Sequence, residues 1–304
     1  MHIISDNDVA RLLDYQSVVT TLERAFSDLS TGAAAIHPRQ RTDCGSAKLS
    51  TMGALWANMH VAGAKIYPTV DGQFSFAVLL FDLVKNAPVA LVEGSELTRF
   101  RTAAITALVV PKLMRRRPSK LALFGAGLQG RSQVEALTEQ LSFEQICVVD
   151  PVPQLQWAAR LAERTGARVD HVSPEDAVRQ SDVIVTATRS PRPVFDGEWL
   201  APGTVVAAIG TSGPKARELD DVTMSRASRI VVEWKPQSLR EAGEIVQWDG
   251  HQDLDRFVDL PELFAGDQSW HGRDEDLTVF KSVGVGLSDV AAAWLAYSRF
   301  EARQ

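Results

Sequence analysis

The sequence predicts an α/β protein in which a doubly wound parallel sheet is inserted in a smaller α+β domain. Three observations predict it. Between residues 120 and 281, short apolar runs alternate with helical or loop segments, as in doubly wound folds. The first run leads into Gly125-Ala-Gly-Leu-Gln-Gly130, three spaced glycines between a strand and a helix. Ahead of it, residues 48–93 alternate and turn like an antiparallel or mixed sheet. At 304 residues the chain is long for one core, so two domains are expected. They are residues 1–113 with 285–304, and residues 114–284. A domain inserted in another leaves both termini on the host.

In the outer region, residues 5–13 read as a short helix, with Ser5 as cap and Asp8 three residues on. Residues 15–30 form a longer helix, with Val18, Leu22, Phe26 and Leu29 on one stripe. Residues 37–41, His-Pro-Arg-Gln-Arg, are extended, because proline biases its predecessor away from helix. Strand-like runs at 63–67, 74–83 and 88–92 are split by Asp71-Gly72 and Lys85-Asn86, both hairpin-type turns. Ser95 is the expected cap of a helix over 95–113, and a last helix covers 287–303.

The inner region offers strands at 120–124, 145–149, 183–188, 205–209, 230–232 and 277–281. Helices fall at 132–141, 154–165 and 174–180, the last capped by Ser173, and the pattern loosens over 248–276. The glycines read as a dinucleotide-binding, Rossmann-type turn. Gly125 permits the turn, Gly127 lets the backbone approach a pyrophosphate, and Gly130 lets helix and strand pack closely. The free amides and dipole at the helix start favour the anion. Asp150 ends the second strand, roughly 20 residues past the glycines, where an acidic residue accepts from an adenosine ribose. A turn residue before Pro151 is the alternative for Asp150.

Bulk properties narrow the partners. Lys plus Arg number 32 against 38 for Asp plus Glu, a formal net charge of −6, so neither nucleic acid nor a membrane surface is expected. Two cysteines, Cys44 and Cys147, make a disulfide framework improbable and fit a reducing cytoplasm. Met1-His-Ile-Ile-Ser has neither a basic start nor an apolar core, so no signal peptide is expected. No apolar run reaches the ~20 residues of a membrane span. The six histidines show no metal-ligand spacing.

Candidate chemistry begins on the helix 95–113. Leu97, Arg101, Ile105 and Val109 recur every fourth position, so Arg101 points with an apolar row. A guanidinium there needs an anion, either a structural carboxylate or a substrate carboxylate held at two points. Lys65, in Ala62-Gly-Ala-Lys-Ile-Tyr67, is either an edge-strand lysine or a second cation that polarises a C=N or C=O group. Arg39 and Arg41 alternate on an extended segment and share a face. Thr211 and Ser212 follow the strand 205–209, beyond whose C-terminal end doubly wound sheets bind ligands. Gln129, Arg131, Thr186, Thr188 and Ser282 complete the candidate cofactor contacts.

Taken together, several stretches resemble the ornithine cyclodeaminase/mu-crystallin family. They are Gly63-Ala-Lys-Ile, Leu97-Thr-Arg-Phe-Arg-Thr-Ala-Ala, Gly125-Ala-Gly-Leu-Gln-Gly, Gly210-x-x-x-Pro-x-x-Arg-Glu-Leu-Asp and Val279-Phe-Lys-Ser-Val-Gly. The resemblance keeps one order across almost the whole chain. It implies an NAD(P)-dependent enzyme of imino or amino acids, and a homodimer joined through the outer domain. It also implies that Lys65, Arg101 and an arginine matching Arg39, or else Arg41, bind the substrate carboxylate.

Two departures stand out. The family's Gln-Ala is Gln129-Gly130 here, which fits the general fingerprint better. Cyclodeaminases carry an aspartate where Ser212 stands, and a serine there is similar to the ketimine-reductase branch. The implied activity is therefore reduction of a small cyclic imino acid, such as pyrroline-2-carboxylate or piperideine-2-carboxylate, with Lys65, Arg101 and Ser212 as catalytic residues. Ornithine cyclodeamination, an amino-acid or opine-type dehydrogenase, and a non-catalytic crystallin-like binding protein are the alternatives. Asp150 favours NAD(H) over NADP(H), because a carboxylate repels a 2′-phosphate, and Arg131 is the cation that opposes it.

Overall fold

The computed structural model describes residues 1–265 and 273–304. The chain forms two compact units. Met1–Ile105 and Gly284–Gln304 make up most of the first. Thr106–Leu263, with the segment up to Val283, makes up the second.

The first unit opens with β1 (His2–Ile4), α1 (Asp6–Leu12) and α2 (Tyr15–Ser30). Ser5 and Asp8 cap α1 reciprocally: the Ser5 hydroxyl accepts the Asp8 N–H, and the Asp8 carboxylate accepts the Ser5 N–H. Asp14 caps α2 by accepting the Ser17 N–H at 2.8 Å. Val18, Leu22 and Phe26 are the buried stripe of α2.

There follow β2 (Ala34–Ile36), β3 (Gln40–Cys44), β4 (Ala47–Trp56), β5 (Val61–Val70), β6 (Gln73–Phe74), β7 (Ala77–Asp82) and β8 (Ala87–Glu93). The sheet runs β1-β8-β7-β5-β4-β2, with β3 on β4 and β6 on β5. β1 joins β8 in parallel, and the other pairs run antiparallel. Asp71 and Gly72 both have positive φ, 48° and 74°, the two-residue link expected between β5 and β6. The run expected over 74–83 is divided. At Phe76 the chain leaves the ladder, and the ring turns onto the Lys65 ammonium at 4.1 Å. The helix α3 (Ser95–Leu113) has the expected bounds. Its cap differs, because Ser95 is itself helical and Asp6 accepts the Glu96 N–H at 2.8 Å.

The second unit continues with β9 (Lys120–Phe124), α4 (Leu128–Gln140), β10 (Gln145–Val149), α5 (Leu155–Thr165), β11 (Arg168–His171), α6 (Pro174–Gln180), β12 (Val183–Thr186) and β13 (Val205–Ala208). Then come α7 (Asp221–Arg226), β14 (Arg229–Val232), α8 (Lys235–Glu241), α9 (Gly243–Val246), β15 (Phe257–Asp259), α10 (Leu260–Phe264) and β16 (Thr278–Lys281). Its sheet is ordered β11-β10-β9-β12-β13-β16-β14-β15 and is parallel throughout. This is the doubly wound, Rossmann-type arrangement. Strand order reverses between β9 and β12, the position where such sheets bind ligands. Ile184, Val206, Val232 and Val279 are fully buried in its core. Each such side chain stabilises the fold by roughly 1.5–3 kcal/mol.

The second unit departs from expectation in the short helices α7 to α10, which are not among the expected elements, and at three further places. α4 starts at Leu128, four residues earlier than the pattern indicates, with Gly127 as its N-cap. A glycine inside the first turn weakens helix propensity and hides the start. β11 contains Arg168, Asp170 and His171 among its four residues, so the edge strand reads as a loop. β15 is three residues long, too short for a periodicity to register. Of the loosely patterned stretch 248–276, residues 266–272 lie outside the described residues.

The last helix, α11 (Gly286–Glu301), belongs to the first unit. It begins against the backbone of β4: a Cβ on Gly286 would stand 2.6 Å from the Gly53 oxygen. Val290 continues the contact over Gly63 of β5, where an added Cβ would meet the Val290 side chain at 3.1 Å.

Gly130 and Gly127 differ in what they tolerate. A Cβ on Gly130 would lie 1.8 Å from the Gly125 carbonyl oxygen, whereas one on Gly127 would meet nothing within 4 Å. Gly130→Ala is expected to lower the unfolding free energy by about 1–3 kcal/mol, the scale of overpacking. Gly127→Ala should leave it nearly unchanged. Urea unfolding of both variants checks this, and equal stabilities would contradict it.

Candidate functional site

In the first unit a cluster of cations gathers around one carboxylate. Lys65 lies on β5, which is interior to the sheet, and is only 2% exposed. It is therefore no edge-strand device. Its ammonium donates to the Thr98 hydroxyl of α3 at 2.6 Å and to Asp289 Oδ1 of α11 at 3.0 Å. The Phe76 ring adds a cation–π contact. Arg101 is buried, as its place on the apolar row requires, and its Nε is 3.1 Å from the same Asp289 oxygen. Arg39, between β2 and β3, donates to the Gly284 carbonyl at 3.0 Å and to the Met52 sulfur at 2.9 Å. A Cβ on Gly284 would stand 2.9 and 3.1 Å from the two terminal nitrogens of Arg101, so Gly284 is where both arginines converge.

Two cations thus share one anion, and a third, Arg39, lies near enough for its charge to act on Lys65. Burial pushes the Lys65 ammonium down to about 8; Asp289 opposes that shift, while Arg101 and Arg39 add to it. Arg41 sits on β3 opposite Ser50. The charges acting most strongly on Lys65 are those of Asp289, Arg101 and Arg39.

In the second unit the glycine turn has the features of a phosphate cradle. Gly125 has φ +87°, a conformation that side chains other than glycine rarely adopt. No side chain caps the start of α4, so its first amides remain for an anion, and the space over Gly127 is open. Asp150 ties this loop down: its carboxylate accepts the Ala126 N–H at 2.7 Å and the Val152 N–H at 2.8 Å. Each oxygen retains a lone pair for a ribose hydroxyl. Arg131 reaches the loop after β10, with NH1 3.4 Å from Gln154 Oε1. Gln129 Oε1 and Thr186 Oγ1 are buried and have no hydrogen-bond partner among the described residues. These residues suit a dinucleotide.

Three other candidate hydroxyls are held by buried carboxylates. The amide and hydroxyl of Thr188 both donate to Glu218 Oε1, at 2.6 and 2.7 Å, and the Gly210 amide donates to Oε2 at 2.7 Å. Thr211 donates to Glu244 at 3.1 Å. Lys281 lies 3.0 Å from Glu244 and donates to the Thr211 carbonyl at 2.7 Å. Ser282 donates to Glu233 at 2.9 Å. Ser212, beside Thr211, is exposed.

Sequence reasoning missed Asp289, Glu233 and Glu244, and quoted Glu218 only as part of a motif. A signal existed for two of them. Asp289 lies four residues before Ala293 on the apolar stripe of its helix, and Glu233 directly follows the buried Ile230-Val-Val232. A carboxylate in either place implies a partner.

Among the described residues, no group of three or more His, Cys, Asp or Glu side chains is placed to hold a metal ion. No helix there is long and apolar enough to cross a membrane.

A Rossmann-type module carrying a glycine cradle, joined to a unit with a buried cation cluster, defines a class of dinucleotide-binding proteins. The chain belongs to the ornithine cyclodeaminase/mu-crystallin family, whose model matches residues 2–304. It is similar to ketimine reductase mu-crystallin of Mus musculus, 34% identical over 73% of this chain and 68% of that protein. Among solved structures, a probable ornithine cyclodeaminase from Bordetella pertussis is 42% identical, with a TM-score of 0.96 over 100% of this chain and 98% of the other. Thermococcus litoralis Delta(1)-pyrroline-2-carboxylate reductase, in complex with NADH and L-proline, is 28% identical, with a TM-score of 0.92 over the same shares.

The Glu218 staple is expected to respond to loss of charge. Glu218→Gln turns an amide NH2 or a weaker acceptor toward donors that the carboxylate now satisfies. The unfolding free energy should fall by about 1–3 kcal/mol, the cost of a buried donor left unmatched. Denaturant unfolding against wild type measures it, and an unchanged midpoint would sink the staple.

Proposed function

We propose that the protein reduces a small cyclic imino acid, a ketimine of the pyrroline-2-carboxylate or piperideine-2-carboxylate type, with a reduced nicotinamide dinucleotide. The cation cluster carries this reading. Lys65 and Arg101 share one carboxylate, and the charge of Arg39 acts on Lys65 as well, a surplus of positive charge suited to a carboxylate-bearing ligand. The relatives named for ketimine and pyrroline-2-carboxylate reduction support it.

When bound, the cofactor supplies a hydride to the imine carbon. Arg101 and Arg39 hold the substrate carboxylate, and the planar guanidinium gives the two-point contact that fixes the ring's orientation. The Lys65 ammonium directs an N–H at the substrate. Its proton affinity, near neutral, lets it protonate the nitrogen as the carbon accepts hydride. Ser212 orients that nitrogen directly or through a water. A second reading, ornithine cyclodeamination, is favoured by the name of the 42% identical structure. The serine at 212, where cyclodeaminases carry an aspartate, weighs against it.

NAD(H) is proposed over NADP(H), on the carboxylate of Asp150 at the end of β10. A homodimer is proposed through the outer sheet face of the first unit. There Leu55 of β4, Ala62 of β5 and Phe81 of β7 align across three strands, flanked by exposed Leu49 and Ile66. The unpaired Cys44 and Cys147 support a reducing cytoplasm as the compartment.

The deciding experiment follows NADH and NADPH oxidation with pyrroline-2-carboxylate, piperideine-2-carboxylate and pyruvate plus amines, and ammonia release from ornithine. Imine-dependent NADH oxidation without ammonia is expected. Ornithine turned over to proline with stoichiometric ammonia and no added reductant would replace the reductase reading. A higher kcat/KM with NADPH would remove the role given to Asp150. The dimer is checked by sedimentation: wild type should run at twice the chain mass and Phe81→Glu at once. A monomeric wild type would refute it.

A further inference from the structure

Asp289 is fully buried in α11, where from Leu287 to Ala293 Ser288 is the one other polar residue. An isolated carboxylate there would be strongly disfavoured, so its place is explained by what it holds. One oxygen, Oδ1, serves both Lys65 at 3.0 Å and Arg101 at 3.1 Å. Two like charges are thereby kept side by side on different elements, β5 and α3, by a residue from a third.

We propose that Asp289 is the positioning residue of the carboxylate clamp: it fixes the Lys65 ammonium and the Arg101 guanidinium against each other and leaves their remaining donors for the substrate. Arg101 turns its Nε edge to Asp289 as an ion pair, and its two terminal nitrogens, beside Gly284, form the edge that pairs with a carboxylate. Lys65 spends two of its three N–H groups on Asp289 and Thr98 and keeps one. With the charge of Arg39 acting on Lys65 as well, positive charge exceeds that of the resident anion, and a substrate carboxylate reduces the surplus. The other groups facing Lys65 carry no charge: Met52 of β4 and Val78 of β7 flank it in register, and Phe76 and Tyr67 lie against it.

The consequence for turnover rests on the imine-reductase reading; the consequence for Lys65 does not. The Lys65 titration is followed by NMR of labelled lysine, using the signal that disappears in Lys65→Gln. Asp289 raises the proton affinity of Lys65 against burial, so Asp289→Asn is expected to move the titration below its wild-type position near 8. An about tenfold loss of proton affinity would be one pH unit. The alkaline limb of kcat/KM should move with it, and kcat/KM should fall about 100-fold, the scale of an ~1 Å misplacement. Lys65 titrating at the same pH in both proteins would overturn the assignment.

Should Asp289→Asn not fold, Asp289→Glu keeps the charge and displaces it. Lys65 is then expected to titrate near its wild-type position, while the holoenzyme binds pyrrole-2-carboxylate about tenfold more weakly by calorimetry. Unchanged affinity there would overturn the assignment as well. A wild-type protein that reduces no imine would remove the proposed function and leave the Lys65 titration to decide the role of Asp289.

Discussion

The first unit depends on a buried electrostatic balance. Among the described residues Lys65 and Arg101 are two of the few buried charged side chains, and neither is tolerable in that interior without Asp289. The surrounding architecture serves this balance. β5 is central in its sheet, so a lysine there is covered from both sides. Gly53 and Gly286 let α11 lie directly on the sheet, bringing its carboxylate within reach of the lysine. The apolar packing of α11 is thus also what delivers the anion.

The second unit meets the same constraint with the opposite charge in excess. Glu218, Glu233 and Glu244 are all fully buried behind the C-terminal ends of the parallel strands. Parallel strands end there in loops whose amides have lost their ladder partners. Glu218 collects two such amides, from Thr188 and Gly210, and Glu233 collects that of Val283. Lys281 balances Glu244. The loops that follow β12, β13 and β16 are therefore held by interior carboxylates as well as by one another, as where the Val194 amide donates to the Glu218 carbonyl at 2.9 Å.

Much of the fold was legible because its signals are local. The bounds of α2, α3 and α6 and the cap of α1 follow from stripes, capping pairs and proline positions confined to a few residues. The glycine turn was legible for the same reason. β11 and β15 were not, because a polar edge strand and a three-residue strand are fixed by their neighbours in the sheet rather than by their own composition. Lys65 and Arg101 stood out as charges among apolar residues. Asp289 gave the same local signal. What no local pattern indicates is that all three share one point, since the lysine and the aspartate are separated by 224 positions.

That separation bears on the order in which the protein is made. A chain leaving the ribosome exposes the sheet of the first unit early, with Lys65 already set in its central strand. The helix that covers this strand and supplies its counter-ion, Gly286–Glu301, is synthesised much later. Every strand of the parallel sheet precedes it in the chain. The first unit therefore cannot reach its final electrostatic state until α11 is made, and a chain stopped before α11 leaves Lys65 with neither its cover nor its counter-ion. The stability of the early strands is thus tied to a segment made after the whole parallel sheet, and a product truncated before that helix is marked by its own instability.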